Sequence, residues 1–140
     1  MQPNEQAEPQ KNATLEKIEA AAQDLLFISE TDAPLTPFFW PAPSEEITPE
    51  FVKEQAHLPA DTEISTQTLA EFFEAATTEE DWMNEDEKTE VQRFQNLQTT
   101  LEETLQNITV FRAGETNITI FIIGQTEGGF AGLQTNVVET

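Results

Sequence analysis

The side chains that could do chemistry in this chain are almost all carboxylates. Glu71, Glu74, Glu79, Glu80, Asp81, Glu85, Asp86, Glu87 and Glu90 fall within twenty residues, opposed only by Lys88. Such a run has a plain reading as a solvated face. It also has a functional one, because an ensemble of carboxylates can imitate the phosphates that a nucleic-acid-binding protein expects. Trp82 stands inside the run, and an indole in a charged loop reads as an interface anchor. Carboxylate pairs carry no specific signal for acid–base catalysis here, since 27 acids create close pairs by chance. Asp81–Asp86 lacks the alternating ligands and central glycine of a calcium loop. His57, the sole histidine, sits beside Leu58-Pro59 and reads as a helix-end surface residue; any serine triad would have to be built around it. Cysteine is absent, which removes thiolate nucleophiles, disulfides and cysteine-ligated metals. Gly128-Gly129 belongs to a hairpin rather than a phosphate-cradling loop. The sequence closes on Val137-Val138-Glu139-Thr140 directly after a strand-like segment. There Thr140 would offer a hydroxyl beside the α-carboxylate, a pair able to chelate a hard cation such as Mg²⁺. An ordinary terminus is the bland alternative.

Charge narrows the partner. The 140 residues hold 27 acids and 6 bases, a formal net charge of −21. A surface of that sign repels nucleic acid and anionic lipid alike, so neither is an expected direct partner, and something basic is. No apolar run is long enough to span a membrane. Met1 to Asn12 has no stretch of the kind a secretory signal needs, so a cytoplasmic location is expected. No enzymatic reading gains support.

These groups must be positioned by an ordinary core, and ten Phe and two Trp supply its volume. Met1–Asn12 reads as a disordered tail, followed by a single domain over 13–140. Leu15, Ile18, Ala22, Leu25 and Leu26 trace one helical face, with Asn12 or Thr14 as cap. The run Leu25–Ile28 then breaks at Ser29–Asp32. Thr36–Pro43 is at most a short edge strand, because proline donates no ladder hydrogen bond. Thr48-Pro49-Glu50 opens a helix that ends near Ala56. A strand is expected around Thr62–Thr66, and Thr68–Glu71 matches a capping box before Leu69, Phe72, Phe73 and Ala76. Asn84 caps a long helix with the stripe Val91, Phe94, Leu97, Leu101, Leu105. Thr109–Arg112, Glu115–Ile123 and Gly132–Val138 form a C-terminal meander, separated by Ala113-Gly114 and by Gly124–Gly129. The expected class is α+β, an α/β/α layered sandwich around a largely antiparallel sheet.

Several segments then add up to a family likeness. Leu25–Glu30, Phe72-Phe73 with Ala76-Thr77-Thr78, Asp81-Trp82, Phe94-Gln95, Gly124-Gln125-Thr126, and Ala131-Gly132 leading to Val137–Thr140 resemble the cyanobacterial nuclease A inhibitor family. The resemblance runs from about Leu15 to Thr140 and is weak over Pro41–Thr68. It implies a small α/β/α sandwich that blocks a sugar non-specific endonuclease in a one-to-one complex, remains a monomer when free, and needs no cofactor of its own. It further implies that Thr140 reaches the divalent metal of the partner nuclease and that Glu30 enters the same active site. Asp81 and Trp82 would add interface contacts, with Glu139 beside Thr140. Met83-Asn84 after Trp82 departs from the family pattern, which bears on partner selectivity. Two other readings stand beside this one: an acidic nucleic-acid mimic for another basic DNA-binding protein, and a salt-adapted or ion-binding protein.

Overall fold

The alternating β-branched and aromatic residues of the last third build the centre of a five-stranded sheet. The structure is a computed structural model that describes residues 9–23, 25–28, 32–41, 47–126 and 129–139, leaving aside the side chains of residues 9–14, 28 and 32. In chain order the elements are α1 (Pro9–Ala22), β1 (Leu26–Ile28), β2 (Asp32–Pro34), β3 (Thr36–Pro41), α2 (Pro49–Ala56), β4 (Ile64–Gln67), α3 (Leu69–Phe73), α4 (Glu85–Thr104), β5 (Gln106–Ala113), β6 (Asn117–Thr126) and β7 (Gly129–Val138). The main sheet has the order β3-β7-β6-β5-β4, and every neighbouring pair is antiparallel. β1 and β2 form a separate two-stranded ribbon.

Strand β6 is apolar on both faces, so both must be covered. Ile118, Ile120 and Ile122 join a core with Ile18 of α1, Phe72 and Phe73 of α3, and Phe94, Leu97 and Leu101 of α4. Phe121 and Ile123 point the other way, into a smaller core with Val52 of α2, Phe111 and Phe130. Helices therefore cover both sides of the sheet, and the α+β class with its C-terminal meander holds. A side chain such as Ile120, fully buried, contributes about 1.5–3 kcal/mol by leaving water.

Local chemistry explains the helix boundaries. The Thr48 hydroxyl accepts from the Phe51 amide at 3.1 Å, Pro49 occupies the first helical position, and α2 ends at His57 in the left-handed region, φ 59°. His57 is exposed there, as expected of a helix-end residue. Thr68 and Glu71 exchange bonds of 3.0 Å across the start of α3. Asn84 and Glu87 do the same for α4 at 2.8 and 2.9 Å. The whole expected stripe is buried, Leu105 included, although the helix itself ends at Thr104. β3 is an edge strand containing Pro37 and Pro41, as proline requires.

Four details differ from the sequence reading. α1 begins at Pro9, ahead of both cap candidates, whose side chains lie outside the described residues, as do residues 1–8 of the expected tail. The stripe of α1 does not extend to Leu26: the helix stops at Ala22 and β1 alternates, so Leu25 is buried and Leu26 is 42% exposed. α3 stops at Phe73, before Ala76. The glycine-rich stretch assigned to a turn is mostly strand, with Gly124 inside β6 and Gly129 opening β7. Close packing requires glycine in these strands. A Cβ on Gly124 would stand 2.6 Å from the Leu105 Cβ, and one on Gly132 would overlap the Ile122 carbonyl oxygen at 1.6 Å.

That overlap is with backbone in the sheet centre and cannot be relieved by a rotamer. Gly132→Ala should cost about 3 kcal/mol, the upper part of the range for overpacking, read as a lowered midpoint in urea unfolding. A midpoint equal to the parent's would show that the β6–β7 approach is looser than described.

Candidate functional site

The strand directions bring three chain segments to one end of the molecule. β7 finishes with Val138 beside Asn117, and Ala113, the last residue of β5, faces Thr119 at the same end. β3 starts toward that end, where Thr36 faces Gln134. β2, joined to β3 through Leu35, continues past it along β7, and the Thr135 hydroxyl donates to the Ala33 carbonyl at 3.5 Å. The ends of β1 and β2 that flank residues 29–31 thus face the end where β7 stops. α4 enters β5 at the opposite end, where Gln106 faces Gln125. Its 20 residues run back about 30 Å, returning the loop before Asn84 to the first end.

That loop, between α3 and α4, carries Asp81 and Trp82. Both are exposed, Trp82 by 71%. The loop is braced at several points. Gln95 of α4 donates its amide to the Thr77 carbonyl at 2.9 Å, and the Thr77 hydroxyl donates to the Phe73 carbonyl at 2.8 Å. Thr78 donates to the Glu74 carbonyl at 2.7 Å, and the Met83 amide to the Glu80 carbonyl at 3.1 Å. The capping box at Asn84 follows at once. Below the loop, Phe27 of β1 stacks on Phe72 with centroids 4.5 Å apart and meets Phe94 edge-on at 6.3 Å. This aromatic contact fixes the β1–β2 ribbon against α3 and α4.

Glu139 follows β7 and is held on two sides. Its amide donates to the Thr116 carbonyl at 3.0 Å. Its carboxylate accepts from Arg112 Nη2 at 2.8 Å, while Arg112 Nη1 donates to Gln67 Oε1 at 3.2 Å. One guanidinium thus links β4, β5 and the residue after β7. The Arg112 side chain is 21% exposed and that of Glu139 55%, so the pair is partly screened.

Of the five residues expected at an interface, Asp81, Trp82 and Glu139 are described, and Glu30 and Thr140 lie outside the described residues. Trp82 and Asp81 are presented to solvent. Glu139 is not simply offered outward, since it already has an internal cation. Sequence reasoning missed Arg112, Gln95 and Thr77 as supports. Gln95 and Thr77 occur in the segments of family likeness, which was the available signal; nothing in the spacing of Arg112 and Glu139 announced their pairing. Among the described residues, no group of three or more His, Asp or Glu side chains is arranged to hold a metal, and no helix is long and apolar enough to cross a membrane.

The family described as nuclease A inhibitor-like protein matches residues 12–140, all but the first eleven. No curated relative matches the chain.

Removing the Arg112 charge tests the bracing of Glu139. Arg112→Gln should lower global stability by less than about 1 kcal/mol, as for other solvent-screened pairs, yet accelerate hydrogen exchange at the Glu139 amide well beyond that at Val137. Equal exchange in parent and variant would show that the ladder alone holds the segment.

Proposed function

The chain belongs to the family of nuclease A inhibitor-like proteins, and from that premise we propose that it is a stoichiometric inhibitor of a metal-dependent, sugar non-specific endonuclease. The match over residues 12–140 carries this reading. Its support in the molecule is the convergence of three segments on one end of the sandwich: the β1–β2 ribbon, the Asp81–Trp82 loop and Glu139 after β7.

A nuclease that holds phosphates needs a basic cleft, and a protein of net charge −21 is drawn to one at an enhanced rate that falls with salt. Steering sets the rate of encounter; residence comes from buried anchors. Trp82 is the anchor, because its indole is already exposed and its loop is already braced, so little ordering entropy is lost on binding. Glu30 enters the active site as a carboxylate in place of a phosphate group. Thr140 brings a hydroxyl and a carboxylate, hard oxygen donors suited to the divalent ion of the partner. The inhibitor offers no phosphodiester bond, so nothing turns over.

Two measurements test the reading. Extending the chain beyond Thr140 with a short tag, or amidating its carboxylate, should raise the inhibition constant sharply with the circular dichroism spectrum unchanged. Undiminished inhibition removes the metal contact. Trp82→Ala should weaken the complex by at least ~2 kcal/mol, the cost of losing a hot spot; calorimetric titration showing no change would remove the anchor role.

A further inference from the structure

Beside Trp82 lies a groove of about 450 Å³ between the β1 strand, the braced loop and the first turns of α4. Its apolar lining includes Leu26, Phe27, Trp82, Met83, Val91 and Phe94. Leu26 and Trp82 are the two large apolar side chains that stand exposed among the described residues, and both line this one groove. Glu80, Glu87 and Glu90 also line it, with no Lys, Arg or His. Apolar walls next to three carboxylates select against most occupants. A purely apolar partner would strip water from the carboxylates and return nothing. An anionic partner is repelled. An aliphatic chain that ends in a cation satisfies both parts at once, with methylenes on the wall and charge at the rim.

We propose that this groove is a receptor for an arginine side chain of the nuclease partner, distinct from the contact with the catalytic metal. This inference rests on the inhibitor reading above. The stem lies along Leu26 and Val91, the guanidinium stacks on the Trp82 indole, and Glu80 and Glu90 accept its N–H groups. Arginine suits the site better than lysine, because a planar, weakly hydrated guanidinium stacks and forks where an ammonium does neither. Charge complementarity also settles the occupant. The chain's own residues 1–8 carry Glu5 and Glu8 and no Lys or Arg, and a second copy brings another −21. A basic nuclease surface supplies what both lack.

The groove and the inhibitor reading are separable by experiment. Methyl and indole resonances of the full chain are followed by NMR while the blocked tripeptide Leu-Arg-Leu is added, with its citrulline counterpart as the uncharged control. The arginine peptide should shift the Trp82 indole and the Leu26 and Val91 methyls, with the citrulline peptide at least about tenfold weaker, as loss of cation–π and ionic contacts requires. Ala75→Phe, which fills the groove from an exposed position, and the pair Glu80→Gln with Glu90→Gln should abolish those shifts. The same variants should raise the inhibition constant against a sugar non-specific nuclease about tenfold or more. Equal shifts with citrulline, or variants that inhibit as well as the parent, overturn the arginine receptor while leaving the inhibitor reading standing. A parent chain that fails to inhibit while retaining the arginine-selective shifts overturns the inhibitor reading and supports the groove's cation preference.

Discussion

β7 lies between β3 and β6, and the order of the acidic end depends on that placement. A final strand at a sheet edge would have a ladder on one side and fray readily from its last residue. Here β6 pairs with β7 as far as Val138, β3 covers the opposite side as far as Gln134, and β2 takes over along Thr135. Insertion of β7 between two neighbours also explains the demand for glycine at position 132, where the strand backbones leave no room for a Cβ. The residues that follow β7 therefore start from a fixed point. The Thr116 carbonyl and the Arg112 guanidinium extend that order one residue further, to Glu139.

Fixing one strand would achieve little if the other two segments moved independently. Both are tied to the same core. The β1–β2 ribbon is pinned by Phe27 between Phe72 and Phe94, and the Trp82 loop by Gln95, Thr77 and the cap at Asn84. Since Phe72 belongs to α3 and Phe94 and Gln95 to α4, one pair of helices sets both positions. An arrangement of this kind keeps like charges close together. Mutual repulsion among the carboxylates of Glu79–Glu90 opposes the loop's geometry. The hydrogen bonds of the cap and brace, together with aromatic packing beneath, hold it against that repulsion. Acids in the first turn of α4 are offset in part by the helix dipole, which favours negative charge at its N-terminus.

What could be read from the sequence follows from the range of the interactions involved. Caps were legible because they act over three residues: Thr48, Thr68 and Asn84 each sit where their side chains bond the third residue on. The α4 stripe was legible because a long period-3.6 pattern has few competing explanations. Proline in Thr36–Pro41 gave the edge strand. The β1–β2 ribbon was not legible, since three-residue strands carry too little alternation to register and Leu26 continued the helical spacing of α1 by coincidence. The glycines of β6 and β7 read as turn residues because their reason for being glycine, the approach of Leu105 and Ile122, lies far away in sequence or across a ladder. Arg112 and Glu139 are separated by twenty-seven positions, beyond any local pattern. Asp81 and Trp82 were found by type, an indole among acids, and Thr140 by the chelating pair that its hydroxyl and carboxylate would form; Glu30 came by family likeness alone.

A net charge of −21 cannot by itself confer selectivity, because any basic surface is attracted by it and salt weakens that attraction uniformly. Selectivity must come from groups whose spacing is rigid on the scale of a side chain. The features that meet this requirement are apolar or internally bonded rather than merely acidic: Trp82 on a braced loop, Leu26 exposed by strand alternation, Glu139 tethered by Arg112. On the proposed reading the carboxylates bring a basic partner to the right end of the molecule, and these few fixed side chains then accept or reject it. The division has a physical basis. Coulomb attraction in water acts over several ångströms and tolerates misalignment, whereas dispersion contacts and stacking are lost within about 1 Å of displacement. Long reach and fine discrimination therefore fall to different residues, and the fold places both kinds on one end of the sheet.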